Sequence, residues 1–560
     1  MNVFFSSMFS PKNSFYRMWI FLFLLAFTPN LYLFFHDAIS LKSILYTLLG
    51  AFFCLFPAIF LKSKIYFGIY FPFVLLAPLE IGHIIVNQTP LTSGFILTIF
   101  NTNANEILNY LSGFKIMAVL VVIYWFSYIY LWIKIPNRSL LVSKSRKIGI
   151  WFYVVLLCGI SVLAVHPSKE VSAKEMIWYS FKIKLFRTYP YSIGIKTYYA
   201  ISEKKTLESR MEKIRNFKFN PTAKTDDECE TYIFIVGESA RYDHFGINGY
   251  RRNTTPFLDS LKKAKKLLTF SNVFSSGNLT ENVFPILMTR ATVPEKNMAN
   301  REKSLVSLFR EARFKTYMLS NQGENEIFLR QLATEADYHY INNNDFEFDE
   351  KYDGLLLPRI DSILNAKEKK KSLFLFTLGS HYKYNFRYPS GFEKFKPTIP
   401  KSYFTHEVVE KNKELFINAY DNSVLYTDYF IHEIIKKIEN KNCKTVLFYI
   451  SDHGENIFDA PDVSIGHGTL NPTKYELHIP MFIWFSDRYL QENQSLVENL
   501  ENHLNKRINT TNVFPTFANI AGIQYHLHQK EKDVSAKTFV PDSVLWVLNP
   551  ELKILKMKHP

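Results

Sequence analysis

A chain of 560 residues, 48% of them apolar, is long enough for more than one core, and the apolar residues are concentrated in the first third. Its formal charge of +15 would suit a nucleic-acid binder, but the large polar domain follows a membrane-crossing region that is expected to export it, so the surplus is assigned to anionic membrane lipid and no nucleic-acid partner is expected. Only four cysteines occur: Cys54 and Cys158 fall inside apolar stretches as small apolar residues, while Cys229 and Cys443 lie where a disulfide can persist.

Five apolar stretches, at roughly 18–36, 43–61, 65–86, 116–133 and 148–165, are each about long enough to cross a ~30 Å hydrocarbon core. The first is rich in Phe, lacks a small-residue cleavage site and is followed at once by another span, which argues against a signal peptide. Lys62 and Lys64 between spans two and three, and Lys134, Arg138, Lys144, Arg146 and Lys147 between spans four and five, belong inside. An odd number of crossings then puts everything after about residue 166 outside. The loop from Asn87 to Lys115 is long for a connection, and long loops more often carry function. Residues 167–215, rich in Lys, Tyr and Phe, read as a linker of interfacial amphipathic helices. The division is thus a five-helix transmembrane domain (1–166), the linker (167–215) and an exported domain (216–560).

In that last domain, β-rich runs alternate with helical ones: TYIFIVG, KTYMLS, SLFLFTLGSH, KTVLFYISDHG and PMFIWFSD. The alternation predicts an α/β domain with a mostly parallel central sheet, whose strands are buried on both faces. Active sites in such folds sit at the carboxyl ends of the strands. Glu238 follows the first run, and Asp452 and His453 follow the fourth, so two carboxylates and an imidazole can converge on a divalent metal; oxygen and nitrogen donors suit zinc or manganese. Singly, each is an ordinary helix cap or ion-pair partner. In FSSGNLTENVFPILMT, Asn278 is expected to cap a helix with Glu281 three residues on, which puts Thr280 in the anion-binding first turn, where a hydroxyl can act as nucleophile. His381 and His467, beside Gly379, Gly466 and Gly468, can hold phosphate oxygens or a second metal, or deliver a proton.

Cys229 lies nine positions before Glu238, and Cys443 nine positions before Asp452. If the two acids meet from the ends of adjacent parallel strands about 4.8 Å apart, equal offsets bring the cysteines level, within the ~4.4–6.8 Å Cα range that a disulfide needs.

Taken in order behind the spans, VGESARYDHFGINGYRRNTTPFLD, SSGNLT, TLGSH, INAYDNSVLYTDYFI, YISDHGEN and GHG resemble the lipopolysaccharide phosphoethanolamine transferases, a family that includes the colistin-resistance enzymes. The resemblance implies an alkaline-phosphatase-like α/β/α domain on the periplasmic face of a bacterial inner membrane. It implies that Glu238, Thr280, Asp452 and His453 bind catalytic zinc, and that Thr280 attacks phosphatidylethanolamine and carries phosphoethanolamine to an acceptor. His381 and His467 match positions that hold the transferred group or a second zinc. Thr102 and Glu106 match positions that contact the lipid head group, with Thr98 where some members have Asn. No cysteine lies near Thr280, and SNQGENEIFLRQ lacks the lysine that lipid A-modifying members place there. Both departures favour the relatives that modify inner-core sugars or periplasmic glucans. A glycerol-phosphate transferase of the lipoteichoic acid synthase type and a non-catalytic lipid-binding sensor remain the alternatives.

Overall fold

The computed structural model describes residues 14–31, 54–87, 91, 96, 115–139, 189–222, 228–322, 327–342, 352–400, 410–460, 463–550 and 552–557. The chain forms two compact units, Met1–Lys204 and Lys205–Pro560.

In the first unit, α1 (Ser14–Ala26), α2 (Ser63–Asn87) and α3 (Lys115–Lys134) fall in predicted spans one, three and four, while α4 (Tyr191–Ile214) is continuous through the end of the unit. Aromatic side chains hold α1 to α3 together: Phe15, Trp19 and Leu22 pack with Tyr66, Phe67, Tyr70 and Tyr128. The buried Tyr128 hydroxyl donates to Phe67 O at 2.7 Å, which satisfies it where no water is at hand. Val119, Ile123, Phe126, Tyr130 and Ile133 form an exposed apolar stripe along α3, at the spacing of one helical face. Among the described residues, one helix, Ser63–Gly82, is long and apolar enough to cross a membrane. Span two is described only from residue 54, where it holds the 3-10 turn Phe56–Ile59, and span five lies outside the described residues, as do Thr98, Thr102 and Glu106.

In chain order the strands of the second unit are β1 (Glu230–Gly237), β2 (Leu267–Phe270), β3 (Val273–Phe274), β4 (Lys315–Ser320), β5 (Tyr338–Ile341), β6 (Lys370–Phe376), β7 (Lys444–Ser451), β8 (Asn456–Ala460), β9 (Val463–Gly466), β10 (Met481–Phe485), β11 (Ile508–Asn509), β12 (Leu545–Leu548) and β13 (Ile554–Met557). Seven of them make one sheet in the order β2-β10-β7-β1-β6-β4-β5, in which β10 alone opposes the rest. The five expected runs become β1, β4, β6, β7 and β10; β2 and β5 are short edge strands with weaker signatures.

The central strands are apolar throughout because helices cover both faces. From β1, Tyr232, Phe234 and Val236 point to one side, where they pack with Phe309, Leu332 and Phe517; Ile233 and Ile235 point to the other, against Ile360, Tyr420 and Ile434. The helices that contribute to these two clusters include α5 (Pro256–Lys263), α6 (Thr280–Met288), α7 (Leu305–Glu311), α8 (Ile327–Glu335), α9 (Leu357–Leu364), α10 (Lys413–Ile438) and α11 (Val513–Ile520). Strands β1 and β7 pair in parallel from Glu230↔Lys444 to Gly237↔Ser451. One residue before this ladder, Cys229 and Cys443 are disulfide-bonded, with Cα atoms 4.8 Å apart.

Candidate active site

Glu238 follows β1 and Asp452 follows β7, and the shared register sets them side by side, with Asp452 N donating to Gly237 O at 3.0 Å. The chain turns sharply after Glu238, with Ser239 in the left-handed region at φ 54°. The loop after β6 closes over this turn at Gly379, φ 45°, where a Cβ would stand 2.8 Å from Glu238 O. Only glycine admits that approach.

Thr280 opens α6. The residue at its cap is the extended Leu279 and not Asn278 as expected: the Asn278 amide turns away to donate to the buried Glu476 carboxylate at 2.8 Å and to Thr469 O at 2.9 Å. A charged acceptor without water is the stronger demand on that amide. Thr280 is nevertheless in the first turn, with Oγ1 3.0 Å from Glu238 Oε2, 2.8 Å from Asp452 Oδ2 and 3.2 Å from His453 Nε2. His453 Nδ1 lies 2.8 Å from Gly454 O, which can only accept, so Nδ1 carries the proton and Nε2 presents its lone pair to the cluster. His453 Nε2 is 3.5 Å from Glu238 Oε1 and 3.5 Å from Asp452 Oδ2.

These separations fit a metal. Four donors about 2.0 Å from zinc at tetrahedral angles stand about 3.3 Å apart, and the observed spacings scatter around that value. Burial, and then the neighbouring Asp452 carboxylate, push Glu238 well above the usual carboxylate range, which is the signature of an anionic site that calls for a cation. The remaining positions on Glu238 are held by protein donors: Ser239 Oγ on Oε1 at 2.7 Å and Gln322 Nε2 on Oε2 at 3.1 Å.

A second group of side chains adjoins the first. The His467 ring stands 4.2 Å from that of His453 and 6.0 Å from that of His381, and His467 Nδ1 is 2.7 Å from Glu455 Oε2. Glu455 also accepts from the Tyr384 hydroxyl at 2.8 Å. His453, Glu455 and His467 could themselves hold a cation. Burial, with the Arg387 guanidinium close by, holds His381 well below the usual imidazole range, and its buried Nδ1 has no hydrogen-bond partner.

Six of the eight expected site residues therefore meet at one end of the sheet. Gln322, Ser239 and Glu455 were missed. Gln322 follows β4, and Glu455 stands in SDHGEN beside the expected ligands, so strand-end position was a usable signal for both.

Buried carboxylates, an imidazole and a hydroxyl at the carboxyl ends of a mostly parallel α/β/α sheet define the class of metal-assisted enzymes that move phosphoryl or sulfuryl groups through an oxygen nucleophile. The family model described as Sulfatase matches residues 230–523, and the chain belongs to that family. The phosphoethanolamine transferase EptC of Escherichia coli K12 is 26% identical over 483 residues, covering 82% of this chain and 80% of its own. The crystal structure of the C-terminal periplasmic domain of E. coli EptC in complex with zinc is similar at a TM-score of 0.53 and 26% identity, over 60% of this chain and 95% of that domain. The integral membrane lipooligosaccharide phosphoethanolamine transferase A of Neisseria meningitidis shares the fold at a TM-score of 0.50 and 20% identity, over 92% of this chain and 98% of its own. That likeness in fold takes in residues ahead of the sulfatase-family domain.

Proposed function

We propose that this enzyme transfers phosphoethanolamine from phosphatidylethanolamine to a lipopolysaccharide acceptor, a core sugar or lipid A, by way of a covalent intermediate on Thr280. The observation that carries the reading is the convergence of Glu238, Asp452 and His453 on Thr280 Oγ1 at 2.8–3.2 Å, in a sulfatase-family domain similar to a phosphoethanolamine transferase. Glu238, Thr280, Asp452 and His453 are the proposed zinc ligands, with manganese as the other metal that the donor set admits. Zinc, when bound, supplies Lewis acidity that lowers the pKa of the hydroxyl and offsets charge developing on phosphorus.

The side chains account for the rest. Asp452 Oδ2, 2.8 Å from Thr280 Oγ1, orients the hydroxyl and accepts its proton as the Thr280 Oγ–P bond forms. The P–O bond to the glycerol oxygen breaks in line, and diacylglycerol leaves with a proton from a histidine of the second group. His381 and His467 line the side on which the transferred group would lie, His467 being held by Glu455. An acceptor hydroxyl or phosphate then attacks phosphorus and gives the proton it carries to that histidine, while the Thr280 Oγ–P bond breaks and Thr280 takes its proton back from Asp452. The first turn of α6 adds backbone N–H dipoles where negative charge gathers. Five membrane-spanning helices in residues 1–166, the linker 167–215 and the periplasmic domain 216–560 are the proposed layout, with Thr102 and Glu106 as contacts to the lipid head group. Anchoring holds the nucleophile where its donor is concentrated.

The test is mass spectrometry of the Thr280 peptide after the purified full chain is incubated with zinc and phosphatidylethanolamine in nanodiscs. A phosphoethanolamine adduct on Thr280, with diacylglycerol released in equal amount, is expected. An unmodified peptide despite diacylglycerol release would reject the mechanism, and lipopolysaccharide from cells with and without the protein identifies the acceptor.

A further inference from the structure

We infer that the carboxy-terminal hairpin is a membrane-docking surface that holds Thr280 at the depth of the lipid head groups. The inference rests on the lipid-donor reading and adds to it a surface on the catalytic unit itself. The hairpin is β12 against β13, with Trp546 opposite Lys556 and Leu548 opposite Ile554. Its inner face packs Leu545 and Val547 on Phe274 and Leu477. On the outer face Trp546 and Ile554 are diagonal neighbours, 38% and 43% exposed. Leu552 in the turn is 50% exposed, and Leu470 on the adjoining loop is 56% exposed.

One residue, Asn549, ties these apolar tips to the helix of the nucleophile. Asn549 donates to Leu470 O at 3.2 Å, its Oδ1 accepts from Lys553 N at 2.9 Å, and its carbonyl accepts from Leu552 N at 2.9 Å and from Asn282 Nδ2 at 3.0 Å. Asn282 is two residues beyond Thr280 in α6. Just before α6, Ser276 O accepts from Leu548 N at 2.8 Å. The tips and the nucleophile are thus set by the same backbone.

Single exposed apolar side chains are ordinary; a group of them is not. Among the described residues of this unit seven large apolar side chains are exposed, and four of them meet here. Lysines surround them: Lys296 Nζ donates to Leu552 O, Lys556 lies 5.7 Å from the Trp546 ring, and Lys553 follows Leu552. Apolar tips, a tryptophan and flanking lysines match an anionic lipid interface, in which the tips enter the head-group boundary and the ammonium groups stay among phosphates. A second copy is the poorer occupant, since two such faces would set lysine against lysine.

The experiment uses the full chain with Cys54→Ala and Cys158→Ala, the Cys229–Cys443 bridge kept, in nanodiscs of three parts phosphatidylethanolamine to one part phosphatidylglycerol. Leu552→Cys carries an environment-sensitive fluorophore, and Lys367→Cys, exposed ahead of β6 at the far end of the sheet, is the control. Spin-labelled lipid should quench most of the emission at 552 and leave that at 367 unchanged. Leu552→Glu with Ile554→Glu should raise KM for phosphatidylethanolamine several-fold while leaving hydrolysis of a soluble phosphodiester and the melting temperature as they were. Equal quenching at the two positions overturns the proposal, as does cross-linking of 552 between copies without lipid quenching. Quenching at 552 without any consumption of phosphatidylethanolamine keeps the docking surface and rejects the donor.

Discussion

Gln322 reaches two acceptors with one amide, Glu238 Oε2 at 3.1 Å and the buried Thr377 O at 2.9 Å. Replacing it by Leu keeps the volume and removes both donors. Thr377 O then loses a partner without gaining water, which costs about 1–3 kcal/mol of stability. Glu238 keeps the Ser239 hydroxyl on Oε1 at 2.7 Å but is free to turn about that contact. Losing an outer-shell partner of a metal ligand weakens metal affinity by about 10–100-fold, or ~1.4–2.8 kcal/mol at ~1.4 kcal/mol per decade. The assay is competition for zinc against a chelator of known affinity, on protein whose folding is checked by its melting curve in EDTA. Gln322→Leu is expected to melt a few degrees lower without metal and to release zinc at a chelator strength that leaves the parent loaded. A folded variant that binds zinc within about twofold of the parent, less than the tenfold minimum for such a partner, would refute the assignment.

Thr280→Ala should abolish formation of the covalent intermediate with about 1 kcal/mol or less of lost stability, and Thr280→Ser should retain part of the activity; adduct mass and melting temperature check both. Gly379→Ala places a Cβ 2.8 Å from Glu238 O in a left-handed backbone, so it should cost about 1–2 kcal/mol or more from the backbone alone and lower zinc affinity, read by denaturant melts and chelator competition. Removing the metal from protein at a hundredfold excess over Kd should lower stability by about 2.7 kcal/mol, seen as a melting shift on adding EDTA and reversed by zinc. Cys229→Ala with Cys443→Ala opens a loop spanning 214 residues, worth about 5 kcal/mol at most in the chain-entropy model, and should lower the melting temperature under oxidising but not under reducing conditions.

The catalytic fold was legible wherever burial on both sheet faces leaves an unbroken apolar run, as in TYIFIVG and KTVLFYIS. It was not legible at β2 and β5, short edge strands whose residues, LLTF and YHYI, owe their pairing to neighbours distant in sequence. Equal offsets from Glu238 and Asp452 were enough to pair Cys229 with Cys443, because parallel register turns sequence distance into spatial distance. Asn278 was misjudged because capping rules weigh only local acceptors, whereas the buried Glu476 that claims its amide is 198 residues away. Gln322 carries no charge and no metal-ligand habit, so its role emerges only when β4 is seen to end beside β1's neighbour β6.

The β1–β7 ladder has Glu238 and Asp452, the proposed metal ligands, at one end and a covalent bond at the other. A slip of one residue between the two strands would carry Asp452 about 3.3 Å along the strand axis and turn its carboxylate to the opposite face. Hydrogen bonds alone resist such a slip only collectively, and a strand repositioned by a full pair of residues would satisfy most of them again. The Cys229–Cys443 bond cannot follow that two-residue shift: starting from a Cα separation of 4.8 Å, about 6.6 Å of travel along the strands would put the two Cα atoms about 8 Å apart, beyond the ~6.8 Å that a disulfide spans. The bridge acts as an alignment pin set at the far end of the sheet, and its job is tolerance as much as strength. A chain whose thiols never oxidise would keep its ligands and its fold, yet hold the two carboxylates in a looser frame, with a broader spread of metal affinities across its molecules.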